Sequence, residues 1–160
     1  MATRAFLTPF SAELPTTNFP ALTVVNTRPV LAFDATTSET CYWTLTVPQG
    51  WTGTKTAVIT YMMASATTNG VAFDVALEAV TDGDATDLDA TTSFATVNTG
   101  TATVPGTAGY IDQISVTLTN DDSAAAQDYL RISLARATAN ASDTATGDCY
   151  VLGVEIRDGA

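Results

Sequence analysis

Short runs of alternating apolar and polar residues recur along almost the whole chain, and they leave it few folds. A period of two puts one set of side chains on each face of an extended strand. In residues 71–80 the apolar set is Val71, Phe73, Val75, Leu77 and Ala79, with Asp74 and Glu78 on the other face. Residues 39–47 repeat this through Cys41, Trp43, Leu45 and Val47, and residues 110–119 through Ile114, Val116 and Leu118. Residues 129–136 do so through Leu130, Ile132 and Leu134, with Arg131 outward, and residues 150–157 through Leu152, Val154 and Ile156. Residues 54–64 are apolar on both faces, Ala57, Ile59, Tyr61 and Met63 against Val58 and Met62, which predicts a strand covered on both sides. Residues 21–25 and 29–33 are short apolar runs, and residues 94–104 form a weaker, Thr-rich one.

The segments between these runs carry turn chemistry. Asn69-Gly70 is a strong hairpin signal, and Pro48-Gln49-Gly50 and Val104-Pro105-Gly106 end strands. Residues 82–90 and 140–148 read as polar loops, and residues 121–127 as one helical turn capped by Asp121 or Asp122. Strands this closely spaced, with so little helix, predict an all-β antiparallel sandwich, jelly-roll-like, of about eight strands. Its single domain spans residues 21–160. Residues 1–20 contain Pro9, Pro15 and Pro20 and lack a period, which predicts an extended N-terminal arm that is ordered only against something else.

The chain is 46% hydrophobic and 14% charged, a composition that builds a core. Its net charge of −11 and six scattered basic residues exclude nucleic acid as a partner and disfavour an anionic membrane. No apolar run is long enough to span a bilayer, and residues 1–10 lack the apolar core of a secretion signal, so synthesis in a cytosol is expected. Cys41 shares a face with Trp43 and Leu45, whereas Cys149 alternates against Leu152, Val154 and Ile156. The phases predict two free thiols on opposite faces.

No reading of the residues yields an active site. Asp82, Asp84, Asp87 and Asp89 are weak metal candidates whose spacing fits no EF-hand; they read as a solvated turn, and no metal or cofactor is expected. Asp74 and Glu78 lie on one strand face roughly 13 Å apart, too far for a glycosidase pair. The absence of histidine removes the Ser/His and Cys/His nucleophile systems, so no enzyme is expected. Tyr42, Trp51, Tyr110, Tyr129 and Tyr150 are candidates for a sugar platform. Trp51, just after a turn, is the most suggestive of these for a ligand or glycan contact, against a core-capping role.

From Leu31 onward the chain resembles small proteins encoded in the virion structural region of tailed bacteriophages. The resemblance is carried by Leu31-Ala32-Phe33-Asp34, by Val71 through Glu78, and above all by Asn140 through Asp148 leading into Leu152-Gly153-Val154-Glu155-Ile156-Arg157. It covers residues 31–158. It implies a jelly-roll capsid cement or decoration protein: a homotrimer, made in the host cytoplasm, seated on the major capsid protein at the outer capsid surface. On that reading the N-terminal arm docks, with Phe6, Leu7 and Phe10 as apolar anchors. The alternative within the same setting is a tail-fibre or receptor-binding, carbohydrate-binding module.

Overall fold

A computed structural model describes residues 2–159. Ten strands follow in order: β1 (Ala2–Leu7), β2 (Ala21–Val25), β3 (Arg28–Phe33), β4 (Thr40–Thr46), β5 (Lys55–Met63), β6 (Gly70–Val80), β7 (Asn98–Thr103), β8 (Asp112–Leu118), β9 (Tyr129–Arg136) and β10 (Cys149–Asp158). They form two antiparallel sheets. The six-stranded sheet runs β2-β3-β10-β5-β8, with β1 also on β10, and the four-stranded sheet runs β4-β9-β6-β7. The predicted β-sandwich is thus the observed fold, with nine strands falling in the predicted runs and one more, β1, ahead of them.

The inward sets of both sheets meet in one core. Leu31, Phe33, Ile59, Tyr61, Ile114 and Ile156 face Trp43, Phe73, Leu77, Leu130, Ile132 and Leu134. Phe33 and Phe73 touch edge to face across the sheets, with centroids 5.4 Å apart. Gly100 of β7 is needed where that edge approaches β8, because a Cβ there would lie 2.6 Å from Val116 Cγ2.

Residues 2–20 are part of the sandwich. β1 pairs with β10 from Ala2↔Asp158 to Leu7↔Val154, and Leu7 is buried in the core. The chain then crosses to the other sheet. Trp43 Nε1 donates to Thr8 O at 3.0 Å, Glu13 bridges to Tyr42, and Thr40 N–H donates to Asn18 O at 2.8 Å. The expected arm is therefore a strap over both sheets that supplies its own strand.

Three further expectations need correction. Asn69-Gly70 makes a turn, with Asn69 at φ +75°, but it joins no hairpin. β5 and β6 lie in different sheets, so the turn is a corner between layers. Residues 121–127 form no helical turn, because Asp122 and Ser123 take φ +55° and +56° and break the helical path. Asp121 instead pairs with Lys55 at 2.8 Å, and Asp122 accepts from Ala79 N–H at 2.8 Å.

Strand phase in β10 also departs from expectation. β10 pairs Val151 with Tyr61 but Gly153 with Thr60, so Leu152 is one residue too many. This bulge inverts the alternation. Cys149 and Val151 face the core before it, Val154 and Ile156 after it, and Leu152 goes to the outer face with Tyr150. Cys149 is thus buried in the core, not outward as its phase with Ile156 predicts. Both cysteines are free, and burial pushes both thiols well above their ordinary pKa. The bulge falls where β3 and β1 meet end to end along one edge of β10. Gly153 permits this, since a Cβ there would lie 2.8 Å from the Phe6 ring and 3.1 Å from Leu7 O.

Candidate functional site

The outer face of the six-stranded sheet carries a cleft of about 500 Å³ at the end where β2, β3, β5 and β10 come together. Its lining includes Val25, Arg28, Met62, Ile111, Tyr150 and Leu152. Each is placed by a local rule. Asn26 and Thr27 both take positive φ, +45° and +67°, the conformation of the tight hairpin turn that suits strand twist. That turn sets Val25 directly across from Arg28. Tyr150 sits opposite Ala32 on one side and Met62 on the other, so its ring has a small neighbour and a flexible apolar one. Leu152, two residues on, shares its face, and the bulge then returns Val154 and Ile156 to the core. The far wall comes from the loop before β8, held by a hydrogen bond from Gly109 N–H to Met63 O at 3.0 Å. Ile111 of that wall is 63% exposed.

The cleft is apolar with a small polar edge. Asn26 and Arg28 are its polar lining side chains, and Arg28 Nη1 donates to Asn26 O at 3.0 Å. No carboxylate, thiol or hydroxyl other than the Tyr150 phenol lines it. Such a surface can hold a ring of mixed polarity, apolar face against tyrosine and thioether, but offers no pair of groups for acid–base chemistry.

The other sequence candidates lie elsewhere. Trp51 is buried in the core cluster, as a core cap, with Lys55 Nζ 5.7 Å from its ring centroid; its Nε1 finds no partner. It is not available to a glycan. Phe6 and Phe10 are 61% and 71% exposed, whereas Leu7 is a core residue and cannot act as an external anchor. Asp82, Asp84, Asp87 and Asp89 are exposed, and Asp84 is used locally, accepting from Thr81 N–H at 3.0 Å. Among the described residues no three His, Cys, Asp or Glu side chains are grouped to hold a metal.

The two outward acids of β6 serve the structure. Asp74 accepts from Thr99 Oγ1 at 2.5 Å. Glu78 is buried beneath the returning segment, accepting from Ser93 N–H at 2.5 Å and Ser93 Oγ at 3.1 Å. Tyr42 is likewise occupied, stacked on Phe94 at 5.7 Å with the Arg131 guanidinium 4.3 Å from its ring centroid. Of the five aromatic candidates, Tyr150 is the one that lines the cleft. Strand phase gave no signal for it, because unbroken alternation groups Tyr150 with Leu152, Val154 and Ile156 on the core face, and the bulge reverses that placement.

No protein-family model matches the chain, and no curated protein matches it in sequence. Solved structures do match in fold. One is CBM35 from Cellvibrio japonicus Abf62, with TM-score 0.55 and 9% identity over 98% of this chain and 94% of that one. Another is the Clostridium thermocellum xylanase 10B structure with its CBM22-1 and GH10 modules, complexed with xylohexaose. It matches with TM-score 0.53 and 12% identity over 99% of this chain, which spans only 29% of the xylanase chain. At these identities the likeness is one of fold: the chain has the β-sandwich seen in carbohydrate-binding modules.

Proposed function

We propose that this protein is a non-catalytic carbohydrate-binding module that holds a glycan in the cleft around Tyr150, serving as a receptor-binding part of a phage virion. The observation that carries this is a half-buried tyrosine flanked by Met62 and Leu152 on an outward cleft rather than in the core. The shared fold with the Cellvibrio module supports the reading, as does the absence of paired acids in the cleft. Aromatic faces bind the C–H side of sugar rings by the same apolar contact that drives core packing. In a titration against soluble oligosaccharides, Tyr150→Ala should weaken binding about tenfold or more, equivalent to ~1.4 kcal/mol, with an unchanged circular dichroism spectrum. Undiminished affinity of the variant would remove the cleft from the account.

A second reading rests on a different surface. Phe6 and Phe10 stand exposed on a strap that also exposes Leu14 and Phe19, and Leu22 of β2 is exposed after it. This apolar strip supports a capsid cement role, with the protein docked on the major capsid protein as a trimer. Hundreds of copies per virion, lost when Phe6 and Phe10 are both replaced by Ser, is the outcome that reading predicts. A few tens of copies or fewer favours the glycan-binding one.

A further inference from the structure

Charge pairing singles out one residue of the cleft. The chain has 17 acidic and six basic residues, so every cation has carboxylates in excess available to it. Five of the six take one: Arg4 with Asp158 at 2.6 Å, Lys55 with Asp121 at 2.8 Å, Arg131 with Glu13 at 3.4 Å, Arg136 with Asp143 at 2.9 Å, and Arg157 with Glu155. Arg28 is the exception. Among the described residues its guanidinium meets no carboxylate, and its one hydrogen bond goes to the Asn26 carbonyl. The sequence maintains that isolation, since residues 14–33 contain no Asp or Glu. Among the described residues Arg28 is therefore the one basic side chain without a carboxylate partner, and it lies in the apolar cleft, within the same lining as Tyr150.

We infer that the cleft selects a sugar bearing a single oxyanion, with the Arg28 guanidinium taking the anion and the Tyr150 ring taking the apolar face of the sugar. This rests on the glycan-binding reading of the cleft and adds the chemical class of the ligand. A guanidinium presents five N–H donors in a planar fork that matches a carboxylate or a sulfate, and one bond to Asn26 leaves most of that fork unused. The net charge of −11 limits the density of charge the ligand can carry. A polyanion would be repelled as a whole, whereas one anionic group among neutral sugars pairs with Arg28 at contact distance. Beyond about 8 Å at physiological ionic strength the remaining carboxylates are screened from it.

The test uses three oligosaccharides of one length: neutral, carrying one hexuronic acid, and carrying one sulfate. Each is titrated into the wild type, Arg28→Gln and Tyr150→Ala. The wild type should bind at least one anionic probe about tenfold or more tightly than the neutral one. Arg28→Gln should abolish that preference, so that the variant binds neutral and anionic probes with equal affinity, and the better anionic probe of the wild type identifies the oxyanion. Arg28 is exposed and makes no core contact, so its replacement leaves the fold intact. Equal binding of neutral and anionic probes by the wild type, or a preference that survives Arg28→Gln, overturns the inference about Arg28 and leaves the cleft standing. If no probe binds, or Tyr150→Ala binds all as the wild type does, the cleft reading fails and this inference with it.

Discussion

Arg136 is the residue whose environment departs furthest from what its type suggests. It lies across from Phe73 on the inward face of β9 and is fully buried. Every part of its guanidinium is used: Nε and Nη2 donate to the two Asp143 oxygens at 3.0 and 2.9 Å, Nη1 to Gly147 O at 2.9 Å, and Nη2 to Ala145 O at 2.7 Å. The residue thus fastens the 140–148 loop to the end of the core. Arg136→Met leaves Asp143 buried without its partner and should cost about 3–5 kcal/mol in urea unfolding. A change below about 1 kcal/mol would show that solvent reaches the pair.

Asp34 supplies a pH prediction at the same scale. Hydrogen bonds from the Thr36 hydroxyl and from the Thr36 and Thr37 N–H groups bring its pKa down from 3.8 to about 2. A carboxylate with a depressed pKa stabilises the fold fully above its unfolded value, and that contribution is lost as pH falls through the folded one. The urea midpoint should therefore decline from about pH 4 to pH 2, and Asp34→Asn should flatten that decline. An acid limb identical in wild type and variant would contradict this role. Asp34 is visible in sequence as a turn former, but its three donors become evident only with the turn folded.

Alternation exposed strands such as β4, β8 and β9 because one face of each is buried, and burial is what writes a period of two into a sequence; β2 and β3 showed only as short apolar runs, and β5 as a run apolar on both faces. What alternation could not expose has a common cause. β1 went unrecognised because Ala2-Thr3-Arg4-Ala5-Phe6-Leu7 buries only Leu7, so no period accumulates. The β10 bulge shifts phase by one residue and leaves no mark of its own in an apolar strand. Asn69-Gly70 encodes a turn, but local backbone chemistry does not say whether the next strand joins the same sheet. The site suffered from the same limit, since the bulge is what turns Tyr150 and Leu152 to the outer face, opposite Val154 and Ile156.

The element-scale prediction concerns β1. Its Leu7 side chain is buried, and its ladder covers the edge of β10 from Val154 to Asp158. Removal of residues 2–7 should lower stability by at least the ~1.5–3 kcal/mol of burying one leucine, read as a lower urea midpoint. Unchanged stability would restore the picture of a detachable arm.

At the scale of the whole molecule, the two sheets put their chemistry on different surfaces. The outer face of the four-stranded sheet is covered over Glu78 and Tyr42 by the segment carrying Ser93 and Phe94. The outer face of the six-stranded sheet stays open at the Tyr150 cleft. Acidic residues serve turns, strand ends and ion pairs, while the cleft is left with one cation and no acid. That division is what a binding module needs: a rigid frame, a strongly negative exterior that limits self-association, and one apolar recess of different character.

The most direct test is a backbone and methyl NMR titration of the full chain with a binding oligosaccharide. The account predicts that shift changes centre on Asn26, Arg28, Met62, Ile111, Tyr150 and Leu152, with the opposite sheet undisturbed. Changes centred instead on the 82–89 loop and Tyr129, or on Phe6 and Phe10, would contradict it.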